Sequence, residues 1–156
     1  MGRSYLEDLE VGSRFGGEQY LVEEEEMLAF ARKWDPRSIH LDAEAGAAAG
    51  FGGIIASGAY VEAIFTLLTM RARKQAGDHA VIAAMGATKR LSNPVRSGDT
   101  LTYDGEITAT RESKSRPDAG VVNTRGRLTN QRGEVTLEIE TVTLVERRPV
   151  VGAGAS

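Results

Sequence analysis

The fold of this chain turns on one stretch: Gly50-Phe51-Gly52-Gly53-Ile54-Ile55-Ala56-Ser57-Gly58, running directly into Ala59 to Lys74 (AYVEAIFTLLTMRARK). In the second part, Tyr60, Val61, Ile64, Phe65, Leu67, Leu68 and Met70 cover most of a helical circumference. Glu62 is the only charge before Arg71. A helix that is apolar nearly all round belongs inside a protein, so the rest of the chain must wrap it. Ser57 is a good N-cap, which makes Gly58 the first helical residue and leaves backbone N–H groups free at the positive end of the helix dipole.

Downstream of this helix the sequence is strand-like. Val81 to Leu91 is stopped by Asn93-Pro94, and Val95 to Asp99 is a turn. Leu101 to Arg111 alternates apolar and polar residues. A polar loop, residues 112–120, leads to a strand over Val121 to Thr129. The turn Asn130-Gln131-Arg132-Gly133 then connects to Val135 to Val145. Upstream, residues 1–13 form an extended lead-in to a short strand, Arg14 to Val22. The run Glu23 to Glu26 opens a helix whose apolar face is Met27, Phe30, Ala31 and Trp34, with Pro36 ending it. Asp42 caps a short helix through Ala49. This order predicts an α+β fold, an antiparallel sheet curled around one central helix. It is one domain over residues 1–147, with a frayed tail over 148–156. A sheet covers only part of an all-apolar helix, so a second subunit is expected to cover the remainder.

Composition narrows the function classes. The chain has 156 residues and a net charge of −3, which argues against a dedicated nucleic-acid binder. It has no cysteine, which removes disulfides, thiolate metal sites and cysteine nucleophiles. It has two histidines, His40 and His79, too few for a histidine-rich metal site. The N-terminus lacks a signal-peptide core, and the longest uncharged stretch, Ala45 to Val61, is too short and glycine-rich to span a membrane. The expectation is a cytoplasmic protein with no membrane or nucleic-acid partner.

Two segments can carry chemistry. Asp35 and His40 stand five residues apart across a proline-containing loop, a spacing that permits a shared water or divided acid and base roles. The bland alternative is that Asp35 ends a helix and His40 is a surface loop residue. The glycines before Ser57 and Gly58 can present an oxyanion hole, or can simply pack and cap the helix. Together, an acid–base pair and donors for a developing enolate are what hydration of an α,β-unsaturated thioester requires.

At this point the residues match a family. Trp34-Asp35-Pro36-Arg37-Ser38-Ile39-His40-Leu41-Asp42, Gly50 to Gly58, and Asn93-Pro94-Val95-Arg96-Ser97-Gly98-Asp99-Thr100-Leu101 resemble the MaoC-like dehydratases, which include the (R)-specific enoyl-CoA hydratases of hot-dog fold. The loop Ser113 to Gly120 is also similar to member sequences, and the resemblance spans roughly residues 5–146. It implies a homodimer, or a higher homo-oligomer, of sheets joined edge to edge, with active sites at the subunit boundary. It places the catalytic acid and histidine on Asp35 and His40. The backbone donor falls on Gly58 and the adjacent small polar residue on Ser57. Asp35 is then the base for the attacking water, His40 holds that water and protonates C2, and Ser57 orients His40 or the carbonyl. There is one departure: such hydratases often carry Asp-x-Asn-Pro-[Leu/Ile]-His, whereas here Arg37 and Ser38 fill the Asn and Pro positions and a proline stands at 36.

The expected reaction is reversible syn hydration of a trans-2-enoyl thioester to an (R)-3-hydroxyacyl thioester. The substrate is carried by coenzyme A or acyl carrier protein, with no metal or redox cofactor. Lys114 and Arg116, then Lys89, Arg90 and Arg111, are the candidate cations for the carrier phosphates. The alternatives are a thioesterase using Glu62 or Asp35, a non-catalytic acyl-thioester binding module, and a hydratase of branched or dicarboxylic, mesaconyl-type esters. In the last of these Arg37 meets an extra carboxylate, although Arg37 is expected to be a plain surface residue. His79, after Gly77-Asp78, is expected at the surface.

Overall fold

The computed structural model describes residues 2–150. In chain order the elements are β1 (Arg14–Leu21), α1 (Glu24–Trp34), α2 (Ala43–Ala48), α3 (Gly58–Ala76), β2 (Val81–Leu91), β3 (Thr100–Glu112), β4 (Ala119–Thr129) and β5 (Val135–Glu146). Single 3-10 turns add Leu6–Asp8 and Ser38–His40. The sequence places the helix starts. Asp42 Oδ1 accepts from Glu44 N at 2.7 Å and Ala45 N at 3.2 Å to cap α2. Ser57 Oγ accepts from Ala59 N at 3.2 Å to cap α3. Glu24, Glu25 and Glu26 lie in the first turn of α1 and Arg32 and Lys33 in its last, matching the helix dipole at both ends.

The five strands form one antiparallel sheet in the order β1-β3-β4-β5-β2. It wraps α3, as expected for an α+β hot-dog fold. Tyr60, Val61, Ile64, Phe65, Leu68 and Ala72 of the helix are buried together with Leu101, Tyr103, Ile107, Val122, Leu128, Leu137, Ile139 and Val145 of the strands. Phe65 meets Tyr103 edge to face with centroids 5.3 Å apart. It fits because residue 126 is glycine: a Cβ there would stand 2.5 Å from Phe65 Cζ. The outer face is wet, with Arg125 and Arg127 opposite Glu140 and Glu138 across β4 and β5.

As expected, the sheet covers only part of helix α3: Leu67 is 38% and Met70 55% exposed, because the sheet reaches round one face of the helix and nothing else among the described residues covers these two. The same open side carries β2, an edge strand exposed from Ala83 to Leu91, with Met85 58% exposed. The lead-in is not simply extended, since Tyr5 N is held by Asp8 Oδ2 at 2.9 Å around its 3-10 turn. That turn in turn pins the start of the expected tail. Arg148 N donates to Glu7 Oε2 at 2.9 Å and Arg148 Nη2 to Asp8 Oδ1 at 2.6 Å; residues 151–156 lie outside the described residues. Among the described residues no helix is long and apolar enough to cross a membrane.

Candidate active site

The chain turns sharply after α1. Asp35 leaves helical geometry, while its N–H still donates to Ala31 O at 3.0 Å. Arg37 N donates back to Asp35 O at 2.9 Å, and the Ser38–His40 turn follows. Two tight turns in succession return His40 beneath Asp35. The strand-like segment before α3 then crosses this loop: Ile55 N donates to Ile39 O at 3.3 Å and Ala56 N to Val95 O at 2.7 Å. Arg96 holds the preceding glycine-rich loop by donating to the Phe51 carbonyl. Acid, histidine and the start of α3 therefore meet at one point.

His40 is 3% exposed. Its Nδ1 lies 2.8 Å from the Ile55 carbonyl oxygen. A carbonyl only accepts, so Nδ1 carries the hydrogen and, in the neutral ring, Nε2 presents a bare lone pair. Nε2 is 3.3 Å from Asp35 Oδ2 but off the line of a hydrogen bond, and it is buried without a hydrogen-bond partner among the described residues. Two acceptors thus converge on one point, and a donor that reaches both would satisfy the pair.

Asp35 accepts three hydrogen bonds from two side chains. Arg37 clamps it in a fork, Nε to Oδ1 and Nη2 to Oδ2, both at 2.7 Å. Ser57 Oγ, fully buried, donates to Oδ2 at 2.7 Å. These bonds, the Arg37 fork first, hold its carboxyl well below the usual carboxylate range. Ser57 therefore donates to Asp35 and not to His40, one of its two expected partners, while its lone pair caps α3. The Gly58 N–H has no acceptor among the described residues, in keeping with its place in the first turn.

Beside these groups lies a cavity of about 280 Å³. Arg37, His40 and Gly58 lie on its lining, with Ile39, Phe51, Ile55, Val61, Leu91 and Pro94 as apolar wall. That volume is just under the roughly 300–1,000 Å³ of sites for drug-sized ligands, and it suits a small, largely apolar group.

The four expected residues Asp35, His40, Ser57 and Gly58 come together; the expected cations divide. Lys89 and Arg90 directly precede Leu91 at the cavity, with Lys89 Nζ on Glu62 Oε2 at 2.6 Å. Lys114 and Arg116 sit at the other end of the sheet. The register runs Leu91–Leu137–Leu128–Tyr103 at the cavity end and reaches Glu112–Gly120 nine residues further along β3, roughly 30 Å away at strand rise. Arg116 is also forked onto Asp118. Sequence spacing gives no sheet register, so the preference for this loop over Lys89 and Arg90 does not hold within one chain. Arg37 is the residue that spacing undervalued. It is no plain surface residue, and the signal was there in Asp-Pro-Arg: a proline between the two forces a turn that brings i and i+2 side chains together.

Comparisons with known proteins bear on the family and the fold. A family model described as "FAS1-like, dehydratase domain region" matches residues 10–139. No curated protein matches the sequence. Among solved structures, a MaoC-like dehydratase from Rhodospirillum rubrum is 37% identical, with 94% of this chain and 99% of that chain covered and a TM-score of 0.84. A monoamine oxidase regulatory protein from Archaeoglobus fulgius is 28% identical over 96% of this chain and 98% of that one, TM-score 0.86. An (R)-hydratase from A. caviae, involved in PHA biosynthesis, is 26% identical over 90% and 98%, TM-score 0.65. By the family model and by the 37% identical relative, the chain belongs to the MaoC-like hot-dog dehydratases.

Proposed function

We propose that the protein is a hydratase–dehydratase that adds water reversibly, on one face, to a trans-2-enoyl thioester, giving an (R)-3-hydroxyacyl thioester. One observation carries this reading: the bare Nε2 of His40 and the carboxylate of Asp35 lie 3.3 Å apart beside a cavity lined by the Gly58 end of α3. Hydration needs a base for water, an acid for C2 and donors for the enolate, and these groups supply all three.

The fork of Arg37 sets the division of labour. With both oxygens bonded and its basicity lowered, Asp35 is a poor base. We therefore move the base from Asp35, where the resemblance put it, to His40. Nε2 takes a proton from a water entering from the cavity, and the hydroxide adds to C3. The thioester oxygen gains charge against the Gly58 N–H and the positive end of α3. The imidazolium, steadied by Asp35, returns its proton to C2. A single shuttle delivers hydrogen and hydroxyl to the same face, and the proton count closes. The step is not a redox reaction and calls for no redox cofactor or metal; coenzyme A or acyl carrier protein enters as the carrier.

The exposed apolar side formed by β2, Leu67 and Met70 supports a homodimer joined along β2. Because β2 ends at the cavity through Leu91, such a junction lies beside the site. An antiparallel β2 junction would also swing the partner's Lys114 toward this end of the sheet.

The test is the ultraviolet band of the conjugated thioester in crotonyl-CoA, followed with a thiol trap in parallel. Loss of the band without thiol release is the expected result. Thiol release would establish a thioesterase instead, and a tight complex without turnover a binding module.

A further inference from the structure

The hydrogen bonds of Arg37 are half used. A guanidinium has five N–H donors on two edges. Here Nε and Nη2 face Asp35, and the opposite edge, Nη1 with the second hydrogen of Nη2, has no acceptor among the described residues. The side chain is 66% exposed at the mouth of the cavity. Every other lining residue apart from His40 is uncharged, and the wall is mainly apolar. A neutral acyl chain would leave this free edge idle, next to the reacting atoms.

We infer that the free edge of Arg37 binds a second carboxylate on the acyl group, so that the preferred substrates are enoyl thioesters ending in a carboxylate. The inference rests on the hydratase reading. Its geometry follows from the fork. Arg37 stays on Asp35 and offers a second, parallel pair of N–H donors to a carboxylate, the arrangement in which such pairs are strongest. An anion bound there lies across the guanidinium from Asp35, on the same side of the cavity as the reacting groups. Carrier phosphates share the anionic chemistry, but the pantetheine arm separates them from the reacting carbons, so the acyl carboxylate is the group assigned.

The experiment compares kcat/KM for crotonyl thioester with the four- and five-carbon trans-2-enoyl thioesters ending in carboxylate. Each is presented on coenzyme A and on N-acetylcysteamine, which has no phosphate. A pH near 8 keeps all carboxylates ionised in every variant. The wild-type protein should favour a carboxylated chain by at least about tenfold on both carriers. Arg37→Gln should shrink that ratio by about 10- to 100-fold, and Arg37→Lys, which keeps the charge but not the fork, should restore only part of it. The ratio is the readout, because any general loss through Asp35 cancels from it. An unchanged ratio in Arg37→Gln would overturn the assignment. So would a wild-type preference for crotonyl thioester, or a carboxylate preference that vanishes on N-acetylcysteamine; in each case the hydratase reading would stand. Failure of the wild-type protein to hydrate any of these thioesters would overturn both.

Discussion

The two histidines sit at opposite ends of α3, each close to an aspartate, and the chain treats them in opposite ways. Asp78 precedes His79 directly, yet the pair forms no dyad. His79 is half-buried, edge-on to Phe15 at 5.7 Å between centroids. Burial, with the nearby Arg73 cation, pushes its pKa down to about 4. It is a neutral aromatic packing piece, and not the surface residue its turn-like sequence suggests. Asp35 and His40 are five residues apart, and two turns fold them onto each other with a lone pair left over. Adjacency in sequence is thus a poor guide to an acid–base pair; what brings one together is a fixed tautomer and a hydrogen-bonded carboxylate folded onto it.

The contrast is broken most severely at His40. His40→Gln should lower kcat/KM for crotonyl-CoA about 10³-fold, whereas His79→Gln should stay within about threefold, as measured by loss of the enoyl band. Comparable losses at both sites would erase the distinction. Asp35→Asn should cost about 10²-fold with the circular dichroism spectrum intact, since the imidazolium loses its charged neighbour but the shuttle remains. Near-wild-type turnover would remove Asp35 from the mechanism.

Arg37→Gln sharpens the comparison in pH. The fork holds the Asp35 carboxyl ionised far into acid. With the fork gone, that carboxyl protonates at higher pH, so the midpoint of an infrared titration of its protonated C=O band should move upward. A midpoint that stays put would mean that Arg37 does not set the state of Asp35. At His79 the effect falls on stability. The folded ring binds its proton only near pH 4 and the unfolded ring near 6.5, so the unfolded state takes up protons first as pH falls. The stability associated with neutral His79 is therefore full above about pH 6.5 and is lost between there and about 4. Allowing for partial exposure, the loss is about 1–2 kcal/mol. Urea melts at pH 7 and 4.5 should show a smaller acid-side loss for His79→Phe than for the wild type.

Much of the architecture was legible because it is local. The apolar circumference of 59–74, the alternation in β3 and the turns at Asn93-Pro94 and Asn130 to Gly133 each act within a few residues. The four candidate site residues were legible through three ordered motifs and a five-residue spacing. What was not legible depends on distance across the sheet. Register alone places Lys114 and Arg116 far from the cavity and Lys89 and Arg90 near it. The partner of Ser57 depends on how the segment before α3 crosses the Asp35 loop. The half-used fork of Arg37 is a property of one rotamer, which no periodicity encodes.

The central claim is most directly tested by running the hydration of crotonyl-CoA in heavy water and analysing the product. The account predicts the (R)-3-hydroxy thioester with one deuterium at C2, on the same face as the hydroxyl, because one imidazole carries the proton. An (S) product, deuterium on the opposite face, or free acid in place of the thioester would contradict it.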